Sequence, residues 1–199
     1  MSGSFAGRRA ARRPATEPPE SSGQPVDPDD APADPASVAR TIALDLLTAA
    51  PRTRAQLAQA MARRGVPDDV ANDVLERFGE VGLIDDAAFA QAWVTSRQRT
   101  KGLAPRALAN ELRQRGVDEP LIAEAVGNVD HDEIEATART LVRRKARTMT
   151  GLPRDVKLRR LSGLLARKGY PSDVALRAVR DVLADEPDAA TEALDLSDV

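Results

Sequence analysis

The chain has 199 residues, 42% hydrophobic and 30% charged, with no cysteine and a formal net charge of −2. Without cysteine neither a disulfide framework nor a thiolate metal site can form, which fits a cytoplasmic protein. No apolar run approaches membrane-spanning length, so no membrane partner is expected. The small net charge hides a separation along the chain. Residues 17–34 carry six acids and no base, and Asp181 to the end carries seven acids and no base. From Arg97 to Arg115 six cations stand against one acid, and from Arg139 to Lys168 eleven stand against one. Only four of the 29 basic residues are lysine, so the charge is mostly the planar, bidentate kind suited to carboxylates and phosphates.

In chain order, residues 1–34 are rich in Pro, Asp, Glu and Ser around Arg8, Arg9, Arg12 and Arg13, and read as a disordered tail. Asp34-Pro35 is a cap and first-turn pair. Val38, Ile42 and Leu46 then form an apolar stripe that Pro51 ends. Thr53 and Gln56 predict a capping box for a helix carrying Leu57 and Met61 and closed by Gly65. Pro67-Asp68 opens a third helix with Val70, Val74, Leu75 and Phe78 inward, stopped between Gly79 and Gly82.

The next helix starts at Asp85 or Asp86, places Phe89 and Trp93 four apart on one face, gathers Arg97, Arg99 and Lys101 near its end and stops at Gly102. Its neighbour has Pro105 in its first turn, Leu108 and Leu112 inward, and Gly116 as its stop. The same pattern returns at Leu161, Leu165 and Gly169, so the stop glycines recur at intervals of 51 and 53 residues. A helix precedes each pair and another follows each glycine. The expectation is an all-α, elongated tandem array of three three-helix repeats, nine helices, over 35–84, 85–129 and 130–184, with a disordered acidic tail at 185–199.

No catalytic constellation emerges. His131 is the one histidine and lies between Asp130 and Asp132 at a helix start, where capping or surface exposure explains it. His131 and Glu135 share a helix face, but two ligands do not make a zinc site. Asp68-Asp69 and Asp85-Asp86 fall where helices begin and read as N-caps. Phe89 and Trp93 read as core, with base stacking as the alternative. The basic clusters point outward, to an anionic partner. Candidate contacts are Arg97, Arg99, Lys101, Arg106, Arg113 and Arg115 in the middle repeat, with Arg143, Arg144, Lys145, Arg147, Arg154, Lys157, Arg159 and Arg160 in the third.

The stretch GLIDDAAFAQAWVTSRQRTKGLAPRALANELRQRGVDEPLI, from Gly82 to Ile122, resembles the signature of the RecX family, regulators of the bacterial RecA recombinase. RTRAQLAQAMARRGVPDDVANDVLERFGEVGLIDD before it and LARKGYPSDVALRAV after it agree, and the similarity spans about residues 35–184. The resemblance implies a tandem three-helix-repeat fold and a cytoplasmic, non-enzymatic monomer without cofactor. It further implies binding to the RecA–DNA filament, damping strand exchange, ATP hydrolysis and coprotease activity in DNA repair and the SOS response. The reading from the residues alone leaves a second class open, a sequence-independent DNA-binding protein built of helix-turn-helix-like modules.

Overall fold

A computed structural model describes residues 34–185. The two predicted tails lie outside the described residues, apart from the boundary residues Asp34 and Asp185. Among the described residues there are nine helices and no strand: α1 (Pro35–Ala49), α2 (Arg54–Ala62), α3 (Asp68–Glu80), α4 (Asp86–Lys101), α5 (Pro105–Arg113), α6 (Glu119–Gly127), α7 (His131–Ala146), α8 (Arg154–Arg167) and α9 (Ser172–Ala184). The helices pack in threes, α1–α3, α4–α6 and α7–α9, each triplet around its own apolar cluster.

Repeated chemistry produces the repeated cores. Leu57 and Met61, Leu108 and Leu112, and Leu161 and Leu165 are pairs four residues apart on α2, α5 and α8, and all six are fully buried. A large apolar side chain so buried contributes about 1.5–3 kcal/mol, which is why α2 and α5, although only nine residues long, are fixed by packing and not by propensity.

The helix ends follow local signals with two exceptions. Asp34 accepts from Ala36 N and Ser37 N at the start of α1, and Thr53 forms the expected capping box with Gln56. Asp85 caps α4 by accepting from Ala88 N at 2.8 Å. Asp86, however, does not cap its own helix: its Oδ1 accepts from Arg54 N at 2.9 Å and so caps α2 of the preceding triplet. Burial raises the Asp86 carboxyl above the usual carboxylate range, while the Arg54 amide opposes that rise. Asp68 and Asp69 occupy the first turn of α3 without capping it, the cap position being Pro67. Their charges still complement the positive end of the helix.

One junction is used twice. Arg115 and Lys168 each precede a stop glycine, and each presents its backbone carbonyl to the start of the middle helix one triplet earlier. Thr53 Oγ1 donates to Arg115 O at 2.7 Å, and Ala104 N donates to Lys168 O at 2.9 Å. Thr53 and Ala104 both lie twelve residues before their own triplet's stop glycine, so the register is the same. The glycines themselves allow the approach. Gly116 (φ 75°) and Gly169 (φ 85°) are left-handed, and a Cβ on them would lie 2.3 Å from Ala55 Cβ and 2.4 Å from Ala107 N. Any side chain would be strained and would also collide. At the second junction Tyr170 Oη also donates to Gly102 O at 3.1 Å, and Lys168 Nζ donates to Lys101 O, so α8 and its turn satisfy carbonyls at the end of α4.

Candidate anion-binding interface

The candidate cations divide by what faces them. On the α4–α5 side, Glu111 organises a half-buried group. Its Oε2 accepts from Trp93 Nε1 at 2.9 Å and from Arg97 Nε at 3.1 Å, and its Oε1 lies 3.7 Å from Lys101 Nζ. Arg115 NH1 donates to the Glu111 backbone carbonyl at 2.6 Å. The guanidinium carbons of Arg97 and Arg115 sit 4.0 Å and 3.6 Å from the centre of the Trp93 ring, which stacks on Phe89 at 5.8 Å and 15°. Trp93 is therefore neither a fully buried core residue nor a free stacking platform; it is a half-exposed ring held beneath two arginines. Burial lowers the Arg115 pKa, Glu111 opposes this, and Arg97 adds to it. Arg113 is engaged too, with Glu119 and Asn110, and this pairing raises its own pKa and lowers that of the Glu119 carboxyl.

Along α7 the basic run splits by helix face. Glu135 lies 3.5 Å from Arg139 and 3.2 Å from Arg177 of α9, with His131 at 3.6 Å. Arg139 also reaches Asp181, and Arg143 reaches Asp185, both at 3.9 Å. Arg154 donates to Leu183 O at 2.9 Å and so satisfies a carbonyl at the end of α9. That row ties α7 and α8 to α9. Arg144 points elsewhere, into a cleft of about 330 Å³ between the end of α4 and α7, lined also by Arg99, Lys101, Thr100, Thr137, Thr140 and Glu133. Arg106 lines a different depression of about 400 Å³ with Pro105, His131 and Pro171.

Lys145, Arg147, Arg159 and Arg160 are exposed, and among the described residues no carboxylate pairs with them or with Arg99, Arg106 or Arg144. Lys157, half-buried on α8, completes the predicted set. Lys168, which in the sequence reads only as a helix-end charge, does not line the cleft but is bonded to the carbonyl of Lys101, which does. Its ammonium is depressed first by burial and then by Arg144 and Lys101, so three cations crowd the α4–α7–α8 corner. The signal for it lies in the repeat, since Lys168 sits where Arg115 does one triplet earlier.

Family models describe the same three triplets: the first three-helix domain of RecX matches residues 39–78, the second 85–126 and the third 132–179. The chain belongs to the RecX family. A regulatory protein RecX of Streptomyces coelicolor is 57% identical over 155 residues, covering 78% of this chain and 82% of that protein. Its counterpart in Thermobifida fusca is 56% identical over 156 residues, covering 78% and 84%. In fold, the crystal structure of RecX from Lactobacillus salivarius superposes with a TM-score of 0.70 at 19% identity over 77% of this chain and 99% of that one. The Streptomyces coelicolor and Thermobifida fusca relatives are named regulatory proteins. Among the described residues of this RecX family member no helix is long and apolar enough to cross a membrane.

Proposed function

We propose that this RecX family chain is a cytoplasmic, non-enzymatic regulator that docks on a RecA–DNA filament and restrains its ATPase, strand-exchange and coprotease activities. The observation that carries the reading is the exposed set Arg99, Arg144, Lys145, Arg147, Arg159 and Arg160, cations without a carboxylate partner among the described residues. Like charges clustered in this way along α7 and α8 repel, and an external polyanion or acidic surface is what would offset that cost. Arg97, Arg113, Arg115 and Arg143 contribute less direct contact in this reading, because each already faces an internal partner. Lys101 has a foot in both sets.

The test is filament ATPase with the double charge reversal Lys145→Glu and Arg147→Glu. Inhibition should fall by an order of magnitude or more, roughly the effect of losing 1–2 kcal/mol of interfacial attraction, while the helical signal stays. Full inhibition by this variant would remove α7's end from the interface. A second reading, binding to DNA with no recombinase, is favoured by the same unpaired cations. It calls for tight binding to bare DNA that weakens steeply with salt.

A further inference from the structure

We propose that the cleft between the end of α4 and α7 seats phosphodiester groups of a nucleic-acid strand, held by Arg99, Lys101 and Arg144, with Lys168 adding charge from beside it. The assignment rests on the filament-docking reading and deepens it, giving this cleft to the nucleic acid and not to a carboxylate of the recombinase.

Three features favour phosphate. First, the cleft receives cations from two sides, Arg99 and Lys101 from α4 and Arg144 from α7, against the single carboxylate Glu133. Glu111 engages Lys101 from α5, at 3.7 Å. Second, the cations of this corner outnumber the carboxylates that face them, Glu133 in the lining and Glu111 beside Lys101. Lys168 Nζ is fixed on Lys101 O, next to Arg144, and Lys101 and Arg144 each add to the depression of its pKa that burial begins. An anion there would relieve repulsion that exists in the free protein. Third, the α7 wall runs from Glu133 through Thr137 and Thr140 to a cationic end row: Arg144 lines the cleft, and the exposed Arg147 stands at the C-cap of α7 three residues beyond it. A carboxylate offers one charge and two oxygens in a plane, as Glu111 does within this protein. A phosphodiester strand offers a charge at every nucleotide and can follow the row.

The cleft's neighbour Gly102 ends α4 in the left-handed region (φ 57°), and a Cβ there would lie 3.0 Å from Leu141 Cδ1. The end of α4 is thus pressed against α7, and Tyr170 Oη is fixed on the same Gly102 carbonyl. The two walls of the cleft belong to different triplets, and the end of α4 is anchored by Tyr170 and Lys168, so the backbone that carries the cations is set before any ligand arrives.

The experiment uses the full chain and a labelled oligothymidylate, without recombinase, over a range of salt concentrations. The double variant Arg99→Gln and Arg144→Gln should weaken oligothymidylate binding about 10-fold near 0.1 M salt and flatten the slope of log affinity on log salt by roughly 0.7 for each phosphate no longer neutralised. Both residues lack an internal ion pair among the described residues, so circular dichroism and Trp93 emission should match the parent. Lys168→Gln, which also removes a helix-end donor, is read alongside its melting temperature and should weaken binding in the same direction.

Unchanged affinity and slope in the double variant would overturn the assignment. So would inorganic phosphate binding the cleft as tightly as the oligonucleotide, which would make it a site for the free ion. A variant that binds oligothymidylate normally but no longer restrains the recombinase filament would show that the cleft meets a protein carboxylate, and the assignment would fall. Failure of the parent protein to affect the filament would instead defeat the docking reading and leave the oligonucleotide result to stand by itself.

Discussion

Tyr170 shows how much a single side chain can report. It is the only tyrosine, it is 6% exposed, and its hydroxyl donates to Gly102 O at the junction of the second and third triplets. Burial pushes its pKa up from 10.0 to about 12. In the unfolded chain the phenol ionises near pH 10; in the folded chain it stays protonated until about pH 12. Its contribution is therefore complete below pH 10 and lost as pH rises from 10 toward 12, by an amount on the order of 2 kcal/mol. Unfolding titrations should show stability falling across that window, and Tyr170→Phe should abolish this component of the slope. The phenylalanine variant should also lose about 1 kcal/mol at neutral pH, the value of the missing hydrogen bond. A tyrosinate absorbance midpoint near the unperturbed value in the native protein would refute the burial argument.

At the scale of the helix pair, Glu111 is the residue that decides which cations of α4 face solvent. It accepts from Trp93 and Arg97 and neighbours Lys101, with its side chain about 26% exposed. Glu111→Gln keeps the shape but removes the charge that three cations share. We expect a loss of about 1–3 kcal/mol in stability, because partly buried guanidinium groups lose their counter-ion. Trp93 emission should change as the arginines above its ring reorient, and affinity for polyanions should rise as Arg97 and Lys101 are released. Lower polyanion affinity in this variant would contradict the idea that Glu111 restrains those cations. Helix boundaries were legible because their signals are local: Asp34-Pro35, Thr53 with Gln56, and Gly102 act within a turn of where they stand. The partners of charges were not. Arg143 and Arg144 are adjacent in sequence yet about 100° apart on a helix, so one meets Asp185 and the other the cleft. Asp86 caps a helix that begins 32 residues before it, which no local pattern could show. Glu111, the lone acid among six cations, was visible as a sequence anomaly, but its role needed the packing of α5 on α4.

Across the whole molecule the charge is graded. Residues 35–84 and 85–129 each hold six cations and six acids, while residues 130–184 hold thirteen cations and seven acids, so the third triplet carries all the excess of these three. Such a gradient acts at a distance, orienting the protein before contact and accelerating encounter with a polyanion at low salt. Two pairs of arginines allow a matched comparison. Arg63 and Arg64 at the end of α2, and Arg159 and Arg160 on α8, are all exposed, and among the described residues none has a carboxylate partner. If only local charge mattered, converting either pair to glutamine would slow association equally. If the gradient orients the molecule, Arg159→Gln with Arg160→Gln should cut the association rate with a recombinase–DNA filament about 3–10-fold at low salt, and the effect should shrink as salt rises past a Debye length of about 10 Å near 0.1 M. Arg63→Gln with Arg64→Gln should change the rate by less than about 2-fold on the same scale. Stopped-flow measurements at several salt concentrations separate the two accounts, because orientation by the third triplet predicts a difference between the pairs that vanishes at high salt, whereas local charge alone predicts equal slowing of association by the two pairs at every salt concentration.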